Sequence, residues 1–288
     1  MKKTVFISAF LAAAMLLSSC GIFKGRNTTL PDVSGTVKVE NEQTSKTAEA
    51  DVSNSPQSSN SKSNAKDTDG KMIVVLDPGH GFKDVGCQSP NLNGQDEKDI
   101  TLSVTLKVKS ALEKLGVQVI LTHDGQQHLS TEEIEAEADK YGIEYDSEKM
   151  RTGAVFSAYE RVILETVLDA QYGVDLFVSL HVNSVENSDY VRGMSIDYYE
   201  NNPYIHRLES LAEKLESSAV PSLASKMKIF SNSYEKSYIV TKFTDVASAL
   251  IEMGYSTNKD DAALLTSEKW QNSFADTLAD CIVDVLEQ

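Results

Sequence analysis

Met72-Ile73-Val74-Val75-Leu76-Asp77-Pro78-Gly79-His80-Gly81 carries the pattern that decides how this chain folds. A short apolar run rich in β-branched residues follows Gly70 and stops at Asp77-Pro78-Gly79, so it reads as a buried strand ending in a turn. Pro78 and Gly79 force that turn, and Gly81 allows the backbone to pass close beside His80.

Working outward, Ile100, Val104, Val108, Ala111, Leu112 and Leu115 recur at helical spacing, and Gly116 follows as a stop. Residues 117–121 return as a strand, and residues 154–168 read as a helix. Val174-Asp175-Leu176-Phe177-Val178-Ser179-Leu180 is a second strongly apolar strand, with another candidate over 194–199. A helix over 204–219 carries Leu208, Leu211, Ala212 and Leu215 ahead of the breaker Pro221. Ser248-Ala249-Leu250-Ile251-Glu252-Met253-Gly254 is the last strand, and Trp270, Phe274, Leu278 and Ile282 mark a closing helix. Strands alternating with helices predict an α/β fold for residues 71–288: a single domain whose central, mixed or mostly parallel, twisted sheet has helices on both faces.

The chain has 288 residues, a formal net charge of -16 and a pI of about 4.7. That acidity excludes a nucleic-acid binder, because phosphate recognition needs basic surface. At 41% hydrophobic and 24% charged, the composition is too polar for a protein of many membrane spans. The acidic excess belongs almost entirely to residues 71–288, which hold 19 basic and 36 acidic side chains.

Lys2 and Lys3 precede an apolar run over 5–17 that ends in Leu17-Ser18-Ser19-Cys20. This is the layout of an export signal over 1–19, too short to remain as a spanning helix. The site resembles a bacterial lipobox, which implies that Cys20 is lipidated and tethers the protein to a membrane surface. Residues 20–70 are poor in large apolar residues and rich in Ser, Asn, Lys, Asp and Thr, the composition of a disordered tether. Its root-mean-square reach is roughly 40 Å. The expected location is the cell envelope: the outer membrane if the organism has two membranes, as Gly21 rather than Asp would suit, and otherwise the outer face of the cytoplasmic membrane. Cys87 and Cys281 remain, and are expected as independent buried thiols.

In such a sheet, functional groups sit where strands stop. His80 follows the first strand, His181 ends the strand in FVSLHVNS, and Glu252 lies in the last strand, in ALIEMGYSTN. Glu97 precedes a helix in NGQDEKDITL. Two imidazoles and a carboxylate leave one position open on a tetrahedral zinc ion, where a water is acidified to a pKa of about 7. A further carboxylate nearby is then placed to act as general base. Spacings of 17 and 84 residues between His80, Glu97 and His181 match no short metal motif. The same donor set also makes the facial triad of non-haem iron oxygenases, an alternative that export speaks against.

LDPGHG, EKDITL, FVSLHVNS and ALIEMGYSTN, in this order, resemble the motifs of the zinc-dependent N-acetylmuramoyl-L-alanine amidases of bacterial autolysins and division amidases. The resemblance spans residues 72–288. It implies one zinc ion held by His80, Glu97 and His181, with Glu252 as the catalytic carboxylate. It also implies peptidoglycan as partner and the amide between N-acetylmuramic acid and L-alanine of the stem peptide as the bond cut. An activator protein is left open. Asp77 and Asn183 are the nearest groups expected to aim the imidazoles. A non-catalytic lipoprotein that binds peptidoglycan through an amidase-like domain is the alternative in another functional class.

The chain departs from the family pattern at three places. His123 stands where relatives carry Arg after the closing Thr of the second strand, and Phe82 where the motif commonly has a second Gly. His123, His128 and His206 are expected on the surface. Residues 131–152 form an acidic insertion with 8 acids and 3 bases, and Ser130 with Glu133 predicts a capped helix that Gly142 ends. That helix is expected to be solvated; the sharper alternative places it near the cleft, restraining access.

Overall fold

A computed structural model describes residues 70–125, 129–150, 157–186, 188–218, 228–231 and 238–288. The export signal, Cys20, the tether up to residue 69 and His128 lie outside these residues. In chain order the elements are β1 (Ile73–Pro78), α1 (Glu97–Lys114), β2 (Gln118–Leu121), α2 (Thr131–Tyr141), α3 (Ser147–Met150), α4 (Ala158–Tyr172) and β3 (Leu176–Asn183). They continue with β4 (Ser195–Tyr198), α5 (Ile205–Ser217), β5 (Lys228–Ser231), α6 (Ile239–Lys242), β6 (Ser248–Tyr255), α7 (Lys259–Leu265) and α8 (Glu268–Leu286).

The six strands form one sheet in the order β2-β1-β3-β6-β4-β5. β2, β1, β3 and β6 run parallel, β4 is antiparallel to β6, and β5 is parallel to β4. The mixed, mostly parallel sheet is therefore as the sequence predicts.

Alternation along each strand divides the core into two layers. Val74, Leu76, Val178 and Leu180 face α1, α5 and α8, where Ile100, Val104, Leu211, Phe274 and Leu278 are buried. Ile73, Val75, Phe177 and Leu250 face the other way, onto Ile163, Leu164 and Leu168 of α4. Helices thus cover both faces, as parallel strands require.

The acidic insertion is less peripheral than its composition suggests. α2 has the predicted capping box, with Ser130 Oγ accepting from Glu133 N at 3.3 Å and Gly142 as a left-handed C-cap. Its polar face is exposed, while Ile134 and Ala138, together with Met150 of α3, are buried in the layer built on α4. Thr131 also donates to Glu160 of α4 at 2.7 Å.

Candidate active site

β1, β3 and β6 are neighbours pointing the same way, so their carboxyl ends bring distant residues together. His80 follows β1, His181 lies in the last half of β3, and Glu252 lies in β6 directly opposite His181. The ladder slips between His181 and Asn183, an irregularity of the kind that re-aims side chains beside functional sites. Glu97 arrives from outside the sheet as the first residue of α1. Sequence reading placed it ahead of the helix; the helix already begins there, and Asp96 before it is tied by its N–H to Asp99 Oδ2 at 2.9 Å.

His80, Glu97 and His181 each offer one ligand atom, and these atoms lie within 4.8 Å of one another. His80 Nε2 stands 3.1 Å and His181 Nδ1 3.3 Å from Glu97 Oε1. Backbone donors hold Glu97 in place: Cys87 N–H reaches Oε2 and Val182 N–H reaches Oε1, both at 2.8 Å. Burial opposes the charge on Glu97, yet hydrogen bonds from His181 and His80 outweigh it and keep the carboxyl well below its ordinary range.

Two glycines make this convergence sterically feasible. A Cβ on Gly79 would fall 2.5 Å from His181 Cε1. One on Gly86 would fall 2.6 Å from Glu97 Oε2 and 2.7 Å from His80 Cδ2, and its φ of +69° favours glycine besides. His80 itself has a φ of 63°, a conformation that the packed loop must enforce on a non-glycine residue.

Asp84 is the group that aims His80, and it was not singled out in the sequence. Its carboxylate is hydrogen-bonded to His80 Nδ1 and also accepts from Gly86 N at 3.0 Å, which leaves His80 Nε2 facing Glu97. Its signal was an acid within the glycine-flanked loop, four residues after His80. Burial lowers the affinity of His80 for a proton, but Asp84 and Glu97 more than reverse this and push it up to about 9. That negative potential is what a bound cation would compensate, and nitrogen, nitrogen and oxygen donors suit zinc. His181 is lowered, chiefly by burial.

Asp77 and Asn183, expected to aim the imidazoles, make no hydrogen bond to one among the described residues. Asp77 is fully buried and accepts from Thr122 Oγ1 and Ser179 Oγ, both at 2.6 Å, and pairs with Arg161 of α4. Asn183 Oδ1 accepts from Ser184 N at 2.8 Å, a local turn contact. The expectation that His123 is a surface residue is also overturned: it is 1% exposed, with Nε2 at 2.8 Å from Pro78 O and Phe82 packed on its ring. Burial, followed by the Arg161 charge, pulls it down to about 4, so it stays neutral. The buried guanidinium at this place comes from Arg161, which also donates to Pro78 O at 3.3 Å and His80 O at 3.1 Å. His206 is 97% exposed, as expected. Cys87 and Cys281 are buried thiols with no disulfide between them.

Glu252 is 7% exposed. Burial, then the nearby carboxylates of Glu97 and Asp197, push it up to about 8. Its Oε2 is buried and has no hydrogen-bond partner among the described residues.

Comparison with known proteins places this geometry. The family profile described as N-acetylmuramoyl-L-alanine amidase matches residues 74–284. The uncharacterised protein YqiI of Bacillus subtilis is 28% identical over 224 residues, 78% of this chain and 89% of its own length. The probable cell wall amidase LytH of Staphylococcus epidermidis is 24% identical over 217 residues, 75% of this chain, which spans only 57% of LytH. The solved N-acetylmuramoyl-L-alanine amidase AmiC2 of Nostoc punctiforme superimposes with a TM-score of 0.53 at 26% identity, covering 76% of this chain and 99% of that one.

Proposed function

This chain belongs to the N-acetylmuramoyl-L-alanine amidase family, and from that premise we propose that it is a zinc-dependent hydrolase of the amide joining the lactyl group of N-acetylmuramic acid to L-alanine of the peptidoglycan stem peptide. The observation that carries this reading is the convergence of His80, Glu97 and His181 within 4.8 Å, beside Glu252 on the adjoining strand.

His80 Nε2, His181 and Glu97 would hold the ion. Zinc bound there would supply Lewis acidity toward the scissile carbonyl and lower the pKa of a water. Asp84 fixes the orientation of His80, and the backbone N–H groups of Cys87 and Val182 fix that of Glu97. Glu252 would act in its ionised form, which a cation bound beside it would favour: Oε2, with no hydrogen-bond partner among the described residues, takes the proton of the attacking water and returns it to the departing amine of L-alanine. The loop around His80 is braced from beneath by Arg161.

In the same reading, residues 1–19 are a lipoprotein signal, Cys20 carries the lipid, residues 20–70 are the tether and residues 71–288 are the catalytic domain. Tethering at an envelope membrane would restrict cutting to nearby wall, in keeping with wall remodelling during cell separation. The test is digestion of purified peptidoglycan by the chain from Cys20 onward, with zinc and with chelator, reading products by mass spectrometry. Zinc-dependent release of stem peptides beginning at L-alanine is expected. A folded, zinc-loaded protein that releases none would overturn the catalytic reading.

A further inference from the structure

Along β6, Ser248, Leu250 and Glu252 share the face that meets α6, because side chains alternate along a strand. α6 is fastened to this face at its middle, where Ser248 Oγ donates to Val240 O at 2.8 Å. Val240 and Leu250 are buried in the same apolar layer, and the Tyr238 ring packs against it. Tyr238 is the residue at which α6 begins, and Thr241 Oγ1 donates back to its carbonyl at 3.1 Å. The short helix is therefore registered on the strand that carries Glu252. From that position the Tyr238 hydroxyl donates to Glu252 Oε1 at 3.2 Å.

The two oxygens of Glu252 are thus distinguished. Oε1 receives a phenolic hydrogen bond, while Oε2 has no hydrogen-bond partner among the described residues. We propose that Tyr238 is a positioning residue for the hydrolysis: it pins one oxygen of Glu252 so that the other is presented to the water and the leaving amine. This rests on the amidase reading above.

The chemistry suits the part. A buried carboxylate held by a single rigid aromatic donor loses the freedom to rotate its free oxygen away from the reacting atoms. Burial and the negative charges of Glu252 and Asp197 push the Tyr238 phenol well above its ordinary range, so it remains a donor throughout the working pH range. An O–H···O distance of 3.2 Å is long, and catalytic contacts of this kind tighten when substrate fills the site.

The test is Tyr238→Phe in the full chain from Cys20, which keeps the ring and deletes only the hydroxyl. Kinetics on purified peptidoglycan fragments, bound zinc and melting temperature are measured beside the unaltered protein. The expected result is a kcat lower by about 10- to 100-fold, with KM, zinc content and melting temperature unchanged. Unchanged kcat in an active background overturns the proposal alone. A variant that loses zinc or fails to fold makes the hydroxyl structural, and overturns it too. Absence of turnover in the unaltered, zinc-loaded protein overturns the amidase reading and the proposal with it.

Discussion

His181 and Glu252 occupy facing positions on the adjacent parallel strands β3 and β6, so one step across the sheet separates an imidazole of the His80–Glu97–His181 cluster from the Glu252 carboxylate. Neighbouring strands lie only about 4.8 Å apart in the hydrogen-bonding direction. Backbone hydrogen bonding fixes the spacing, which makes it insensitive to loop motion. The two side chains are thus held in register by strand pairing.

Glu252→Gln should separate binding from turnover. The amide keeps the size of the side chain and removes its capacity to take a proton, so release of stem peptides should fall by about 10²- to 10⁴-fold. Bound zinc, measured by elemental analysis, should remain at one per chain. A variant that still digests peptidoglycan at the original rate would remove Glu252 from the reaction.

Asp84→Asn should weaken zinc without unfolding the protein. The carboxylate that orients His80 and favours positive charge beside it becomes neutral, while the loop contact to Gly86 N can persist through the amide oxygen. Loss of a partner of this kind costs roughly 10- to 100-fold in metal affinity. Competition against a chromogenic chelator measures it, and an unaltered affinity would show that His80 is aimed by other contacts.

Gly86→Ala should be more damaging than its single methyl suggests. The new Cβ would have to occupy space 2.6 Å from Glu97 Oε2 and 2.7 Å from His80 Cδ2, in a left-handed backbone conformation. Glu97 and His80 must both move, so zinc affinity is expected to fall together with stability, the latter by about 1–3 kcal/mol. Chelator competition and urea unfolding follow the two losses, and a fully zinc-loaded variant of unchanged stability would contradict this geometry.

Much of this arrangement is legible in the sequence because its physical basis is local. The strands β1, β3 and β6 are apolar runs, and their pairing brings together His80 just after the first, His181 late in the second and Glu252 within the third, with Glu97 joining from α1. The contacts that organise the site are harder to read. Asp84 stands only four residues after His80, but in a loop with no regular period, so spacing alone does not turn its carboxylate back on the imidazole, and the pairing of Arg161 with Asp77 crosses 84 positions. His123 is misread because a lone histidine after a strand carries no mark of burial. α6 holds four residues, too few to display a helical period, so the placement of Tyr238 over Glu252 emerges only in three dimensions.

Ile134→Ala tests whether the acidic insertion belongs to the core. Ile134 is fully buried in the layer shared with Val75, Leu164 and Phe177. Truncating such a side chain costs about 2–5 kcal/mol, because the lost burial is joined by a cavity. Urea unfolding should register this directly, whereas a helix merely appended to the surface would give almost no change. The same packing means that deleting residues 131–150 would expose apolar surface of α4.

Glu165 supplies a pH dependence of stability that is separate from the metal cluster. It lies on α4 with no exposed surface, and neither carboxylate oxygen has a hydrogen-bond partner among the described residues. Burial, and then the charges of Asp169 and Asp245, push it up from 4.5 to about 8. In the folded protein it therefore keeps its proton to about pH 8, whereas the unfolded chain releases it near 4.5. The folded state binds the additional proton across that window, so stability is fully present below pH 4.5 and is lost as the pH climbs toward 8. Glu165→Gln cannot titrate and should escape this loss. Compared in zinc-loaded form, which holds the metal cluster constant, variant and unaltered protein should be similar at about pH 5, and the variant should be more stable by a few kcal/mol at about pH 8. Melting curves at the two pH values decide it: parallel behaviour of the two proteins would mean that the Glu165 carboxylate is stabilised by contacts that keep it ionised in the folded state.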